Sequence, residues 1–245
     1  MISDSIAKLV IYLITVNPFF YLTLTVIFPK CFWLFPHRWR KRGVEPCVLR
    51  ACDLYLNMSR KYKFHDQDRL YFVTYAVVDW VDVFTRNEYR NIVLDSLKYC
   101  CANKGLELYA WCLMTNHVHL VIGTRDKKME DILRDHKSFT ADALLKAIVN
   151  NKQESRREWM LSVFAAAGHA NSNNANYQFW QQHNNPIELY SLPVITQKLD
   201  YIHKKPVNAG FVSHAEDWLY SSARDYACKP GLLDCVTPID IGIWG

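Results

Sequence analysis

The sequence predicts an α+β fold, an antiparallel sheet covered by helices, and three observations predict it. Tyr71-Phe72-Val73-Thr74-Tyr75-Ala76-Val77-Val78 is β-branched and aromatic and reads as a buried strand. Residues 106–114 and 117–123 read as a second and third strand, and the short Thr115-Asn116 connection makes them an antiparallel hairpin. Residues 86–103 and 130–150 repeat apolar residues at helical spacing, which suits elements that cover a sheet.

The elements follow in order. Residues 86–103 align Tyr89, Ile92, Val93 and Leu97, and the helix ends at Lys104-Gly105. Residues 130–150 place Ile132, Leu133, Phe139, Ala143, Leu144, Ala147 and Ile148 on one stripe, leaving Arg134, Lys137 and Lys146 on a face expected to be solvated. A further helix is predicted over 153–167, with Arg156, Arg157 and Trp159 among its residues. Tyr177-Gln178-Phe179-Trp180-Gln181-Gln182 suits a strand; its aromatics and amides could stack on and bond nucleobases, or serve as core and polar surface. The last helix of consequence spans 193–205 and is expected to stop at Pro206, because the residue before a proline is driven from helical geometry.

Charge excludes a simple argument for a polyanion partner. The chain of 245 residues carries a net charge of +5, but residues 1–57 hold seven Lys/Arg against three Asp/Glu, so the remaining body is nearly neutral. Binding to phosphate must therefore come from a local patch. The eight cysteines show no Cys-x-x-Cys spacing, which fits reduced thiols in a cytosolic protein better than a disulfide framework or a zinc knuckle. No charge interrupts the stretch between Lys8 and Lys30, and His37-Arg38-Trp39-Arg40-Lys41-Arg42 follows it, the order of a membrane anchor with a basic flank. Asn17-Pro18 weakens that reading, and the abrupt change of composition at Met58 offers another, in which residues 1–57 are an over-extended translation start ahead of a domain over 58–245.

Chemistry concentrates in Thr115-Asn116-His117-Val118-His119-Leu120-Val121-Ile122. Alternate residues of a strand share a face, so His117 and His119 project together while Val118, Leu120 and Ile122 pack behind them. Two neutral imidazoles on a rigid strand can hold a divalent cation with positions left for substrate; equally, they can be two strand histidines facing solvent. On the last helix Ile195, Leu199 and Ile202 form the apolar stripe, which leaves Tyr201 and Lys205 one turn apart on another face.

These residues, with Tyr177-Gln178-Phe179-Trp180, Asp200-Tyr201-Ile202-His203, Pro206-Val207-Asn208-Ala209-Gly210-Phe211-Val212 and Trp218-Leu219-Tyr220-Ser221-Ser222-Ala223, resemble the REP-associated tyrosine transposases, relatives of the IS200-like transposases in the HUH endonuclease superfamily. The resemblance covers about residues 58–233. It implies a ferredoxin-like (RRM-like) sheet of the HUH single-strand nuclease type, His117 and His119 as ligands of Mg²⁺ or Mn²⁺, and Tyr201 as the nucleophile that cuts single-stranded DNA through a 5′-phosphotyrosine. Hairpin DNA is the implied partner, the cytoplasm and its nucleoid the implied location, and a membrane is not expected. Whether the chain is a monomer or a homodimer stays open. That family lacks an N-terminal apolar segment, which favours Met58 as the start. Composition adds Arg134, Lys137, Arg156, Arg157 and Trp159 as candidates for the DNA surface.

One position departs from the pattern. Where the resemblance leads one to expect an Asn or Gln as a third ligand, one turn beyond the tyrosine, this chain has Lys205. An ammonium has no lone pair to give and repels a cation. The expectation is reduced cleavage, or a lysine that holds the scissile phosphate itself; a non-catalytic hairpin-DNA-binding protein of the same fold is the alternative.

Overall fold

The computed structural model describes residues 64–171, 176–182 and 184–240, and the readings of residues 1–57 lie outside them. Strand β1 (Tyr71–Ala76) is followed by α1 (Asn87–Asn103), the hairpin of β2 (Leu106–Leu113) and β3 (His117–Thr124), α2 (Met129–Asn150), α3 (Arg157–His169), β4 (Ile187–Glu188), α4 (Leu192–Asn208) and the short α5 (Ala223–Tyr226). The sheet runs β2-β3-β1-β4 with every neighbouring pair antiparallel. That is the β-α-β-β-α-β ferredoxin-like order, with α3 inserted before β4 and α4 added after it. Among the described residues no helix is long and apolar enough to cross a membrane.

Period-two alternation divides the sheet into two faces. Val73 and Tyr75 of β1 with Val118, Leu120 and Ile122 of β3 join α1, α2 and α3 in the larger core. The opposite face presents Phe72, Ala110, Cys112, Met114 and Val121, and α4 covers it with Leu199 and Ile202. Full burial of side chains of this size is worth about 1.5–3 kcal/mol each, enough for the smaller cluster to hold α4 down. In β2 the register shifts between Leu108 and Ala110, and this irregularity changes the parity: Leu108 and Trp111 both reach the larger core, while Ala110 and Cys112 face α4.

The outer edge of β2 is closed by the chain after α4. Leu113 N–H donates to Tyr220 O, Ser222 N–H to Trp111 O, and Thr237 N–H to Leu108 O. Edge groups that would otherwise be open to another chain are thus satisfied internally. The five described cysteines Cys100, Cys101, Cys112, Cys228 and Cys235 are free thiols.

Four expectations from sequence need correction. Pro206 does not stop the last helix: α4 runs on to Asn208, with Pro206 buried inside it. The stop is a Schellman motif at Gly210, whose φ of +75° lets Phe211 N–H reach Pro206 O and Gly210 N–H reach Val207 O. Helix α3 begins at Arg157, because Asn151 builds a turn first, its side chain accepting from Gln153 N–H and its carbonyl from Glu154 N–H. Residues 177–182 make only an isolated bridge, Val77 to Trp180, and the paired strand comes later at β4. Asn185, at φ 41°, and Pro186, which lacks an N–H, break the ladder between them. Phe139 is 60% exposed; the buried stripe of α2 instead runs through His136 and Thr140.

Those two polar residues are admitted to the core because their bonds are made. His136 Nε2 lies 2.7 Å from Tyr75 Oη and its Nδ1 2.9 Å from Ser96 Oγ, while Thr140 Oγ1 donates to His136 O and accepts from Trp180 Nε1. Burial lowers the His136 pKa from 6.5 to about 3, and burial likewise lowers that of His203 to about 4. An imidazole with a depressed folded pKa takes its proton more readily in the unfolded chain. Stability is therefore complete above pH 6.5 and falls as the pH drops toward 4. Melting temperature measured from pH 8 to 4 should decline below 6.5, and a flat profile across that window would contradict the protonation argument.

Candidate functional site

Strand register builds the site. His117 and His119 stand on the α4 face of β3, opposite Ala76 and Thr74 of β1, with Cys112 of β2 on the other side of His119. Their ring centroids are 4.7 Å apart. Helix α4 brings Tyr201 over the pair: its ring centroid lies 5.3 Å from that of His119 and 5.9 Å from that of Phe72, yet the residue remains 42% exposed. A nucleophile needs that combination, a fixed position and an open approach. Residues from β3 and α4, far apart in sequence, are thus brought together.

Hydrogen bonds orient both imidazoles. Asn116 Nδ2 donates to Trp80 O and to Asp82 Oδ1, each at 3.0 Å, and both partners can only accept. That fixes the amide, so its oxygen faces His117 Nδ1 at 2.6 Å, and the ring nitrogen must carry the hydrogen. The lone pair of His117 is left on Nε2. His119 Nδ1 lies 2.7 Å from Thr74 Oγ1, while its Nε2, in a residue only 3% exposed, has no hydrogen-bond partner. Burial, then the ammonium of Lys205, lowers the His117 pKa to about 4; burial, then the neighbouring His117, holds that of His119 well below 6.5. Both rings are neutral at pH 7, the state that ligates.

The donor set fits a divalent cation through two imidazole nitrogens, one of them orphaned in a buried position. No cluster of three or more His, Cys, Asp or Glu that could hold a metal occurs among the described residues. Lys205 stands one turn beyond Tyr201, its Nζ donating to Tyr201 Oη at 3.3 Å. His203 turns away, its Nε2 2.9 Å from Ser222 Oγ. Lys198 is a second cation at the site, with Nζ 5.0 Å from the Phe72 ring centroid and 5.8 Å from that of Tyr201. Sequence reasoning missed Lys198, Thr74 and the role of Asn116. Lys198 stands three residues before Tyr201 and was legible from helical spacing; Thr74 depends on a register no local pattern reveals.

The candidate DNA-surface residues on α2 and α3 are not at this site, since those helices cover the other face of the sheet. Arg134 pairs with Asp131 and Asp135, and Arg157 with Glu158. Lys137 is not on a solvated face: its Nζ donates to Gln181 O and Asn184 Oδ1, both at 2.8 Å, and burial lowers its pKa to about 8. Arg156, between the helices, bonds Glu154 and Asp82 O. Trp159 is exposed on α3. Phe179 and Trp180 are core residues.

Residues 73–178 match the family model described as "Transposase IS200 like". The match contains both histidines and ends before Tyr201 and Lys205. Among solved structures, a REP-associated tyrosine transposase bound to a REP hairpin is similar over 74% of this chain and 91% of that chain, at 17% identity and a TM-score of 0.46. A bacterial tRNA(His) guanylyltransferase-like protein in complex with GTP is similar over 64% of this chain and 97% of that chain, at 10% identity and a TM-score of 0.28. No curated protein matches the chain.

Asn116 makes the bonds that tie the turn after β1 to His117. Asn116→Ala should lower stability by about 1–2 kcal/mol in urea unfolding, since a net hydrogen bond is worth about 0.5–1.5 kcal/mol and solvent reaches this one. Unfolding at the wild-type urea concentration would show that the amide holds nothing.

Proposed function

We propose, from the match of residues 73–178 to the IS200-like transposase family model, that the protein is a single-strand DNA nuclease and strand transferase that works through Tyr201. The observation that carries this reading is the meeting of three rings, His117, His119 and Tyr201, at one open position on the sheet. The substrate proposed is single-stranded DNA carrying a hairpin, from the motif resemblance.

In the proposed reaction Tyr201 Oη attacks the scissile phosphorus. The bond to the 3′ oxygen breaks, a 5′-phosphotyrosine forms, and the tyrosine proton is balanced by the proton the 3′ oxygen gains. The covalent step conserves the phosphodiester for rejoining to another 3′-hydroxyl. Held by Nε2 of His117 and His119, Mg²⁺ or Mn²⁺ would supply positive charge to the phosphate oxygens. Thr74 and Asn116 hold the two rings in place, and Phe72 backs the Tyr201 ring, so orientation is set before the substrate arrives. Lys198 and Lys205 supply two ammonium groups to a phosphate lying against Tyr201, a local patch in a body that is otherwise nearly neutral.

Lys205 also favours a second reading, a hairpin-DNA-binding protein with impaired cleavage, because its charge opposes a cation beside Tyr201. A labelled single-stranded hairpin oligonucleotide from the flank of the protein's own gene, incubated with Mg²⁺ or Mn²⁺, distinguishes the two. The nuclease should leave a denaturation-resistant protein–DNA adduct that disappears in Tyr201→Phe and on chelation, and Lys205→Asn should increase its yield several-fold. Binding without an adduct in either the wild type or Lys205→Asn would favour the binding protein, and an adduct undiminished in Tyr201→Phe would remove the tyrosine from the mechanism.

A further inference from the structure

We propose that Trp80 is a stacking platform for a nucleobase next to the scissile phosphate, an inference that rests on the proposed single-strand chemistry at Tyr201. Just beyond β1 the chain enters the left-handed region twice in succession, at Asp79 (φ 50°) and Trp80 (φ 55°). Neither residue is glycine, so the turn is strained, and strain of this kind persists only where surrounding bonds over-determine it. Those bonds are present. Trp80 O and Asp82 Oδ1 both accept from Asn116 Nδ2, Asp82 O accepts from Arg156 Nη1 at 2.8 Å, and Thr85 Oγ1 accepts from Arg156 Nη2 at 3.2 Å.

What the turn holds in place is a large aromatic surface beside the site. Trp80 is 43% exposed, and its ring centroid lies 5.5 Å from that of His117 in an edge-to-face arrangement. Successive ring contacts of 5.5, 4.7 and 5.3 Å link the indole through His117 and the buried His119 to Tyr201, so the two exposed rings, Trp80 and Tyr201, flank the histidine pair. A single strand that crosses the pair places a phosphate at Tyr201 and a base at Trp80. The exposed carboxylates of Asp79 and Asp82 repel a phosphate there, whereas Lys198 and Lys205 attract one at the tyrosine end. The charge pattern therefore orients the strand, base toward Trp80 and backbone toward α4. Stacking is tolerant of base identity, so the platform contributes affinity and position more than sequence choice.

The test uses the full chain carrying Tyr201→Phe, which prevents turnover, with fluorescein-labelled hairpin oligonucleotides whose single-stranded tail is made abasic one position at a time. Trp80→Ala should weaken binding about 5- to 150-fold, the range expected for losing one stacked base. One abasic position should weaken binding with Trp80 present and have no further effect in Trp80→Ala, while Trp80→Phe should retain most of the affinity. A 2-aminopurine at that position should be quenched on binding only when Trp80 is present, which gives the answer even if Trp80→Ala folds poorly. If Trp80→Ala binds as tightly as its parent, or no tail position couples to it, the platform is wrong; if the oligonucleotide does not bind at all, the platform and the proposed function both fail. An adduct formed by the otherwise unaltered chain without coupling at Trp80 leaves the nuclease standing alone. Coupling without any adduct leaves Trp80 as a base contact of a protein that does not cut.

Discussion

The site depends on one constraint, the two-residue period of β3. With Val118, Leu120 and Ile122 committed to the larger core, His117, His119 and Val121 have only the opposite face available. A one-residue slip would bury both imidazoles among aliphatic side chains and turn isoleucine and leucine toward α4, so core packing and the site enforce the same register. The antiparallel ladder then supplies the neighbours: Thr74 lies directly across from His119 and Ala76 across from His117. The small side chain of Ala76 adds no bulk beside His117, and the hydroxyl of Thr74 reaches the ring of His119.

Electrostatics at this face pull in two directions. Burial and nearby ammonium groups both favour neutral imidazoles, which suits ligation, yet the same ammonium groups oppose the arrival of a cation. In the reaction proposed above an anionic substrate would resolve the conflict, because a phosphate against Tyr201 would face the ammonium groups on one side and a histidine-held cation on the other, so that cation and DNA would each raise the affinity for the other.

Much of this was legible in the chain. The alternation in β3, the helical stripes of α1 and α4 and the spacing of Tyr201 from Lys205 are local patterns, and local patterns survive into the fold. Other features were hidden for identifiable reasons. His136 and Thr140 lie in the core because Tyr75, Ser96 and Trp180 bond to them, partners supplied by other elements. Local sequence makes Pro206 a stop, but one missing N–H in a final turn costs less than leaving a buried face unpacked, and glycine four residues on provides the real termination. Composition alone offers the basic residues of α2 and α3 as a nucleic-acid surface; Arg134 and Arg157 hold carboxylates of their own helices, and Lys137 holds the loop before β4.

The segment that closes the β2 edge has a further consequence in the order of assembly. It carries Ser222, which lies against His203 of α4 and whose backbone pairs with Trp111, so the strap that finishes the sheet also braces the helix bearing the tyrosine. During synthesis the strands and both histidines emerge well before this strap does. A growing chain can therefore assemble the histidine half of the site while the tyrosine half still lacks its brace, which is added once residues 220–237 have followed α4.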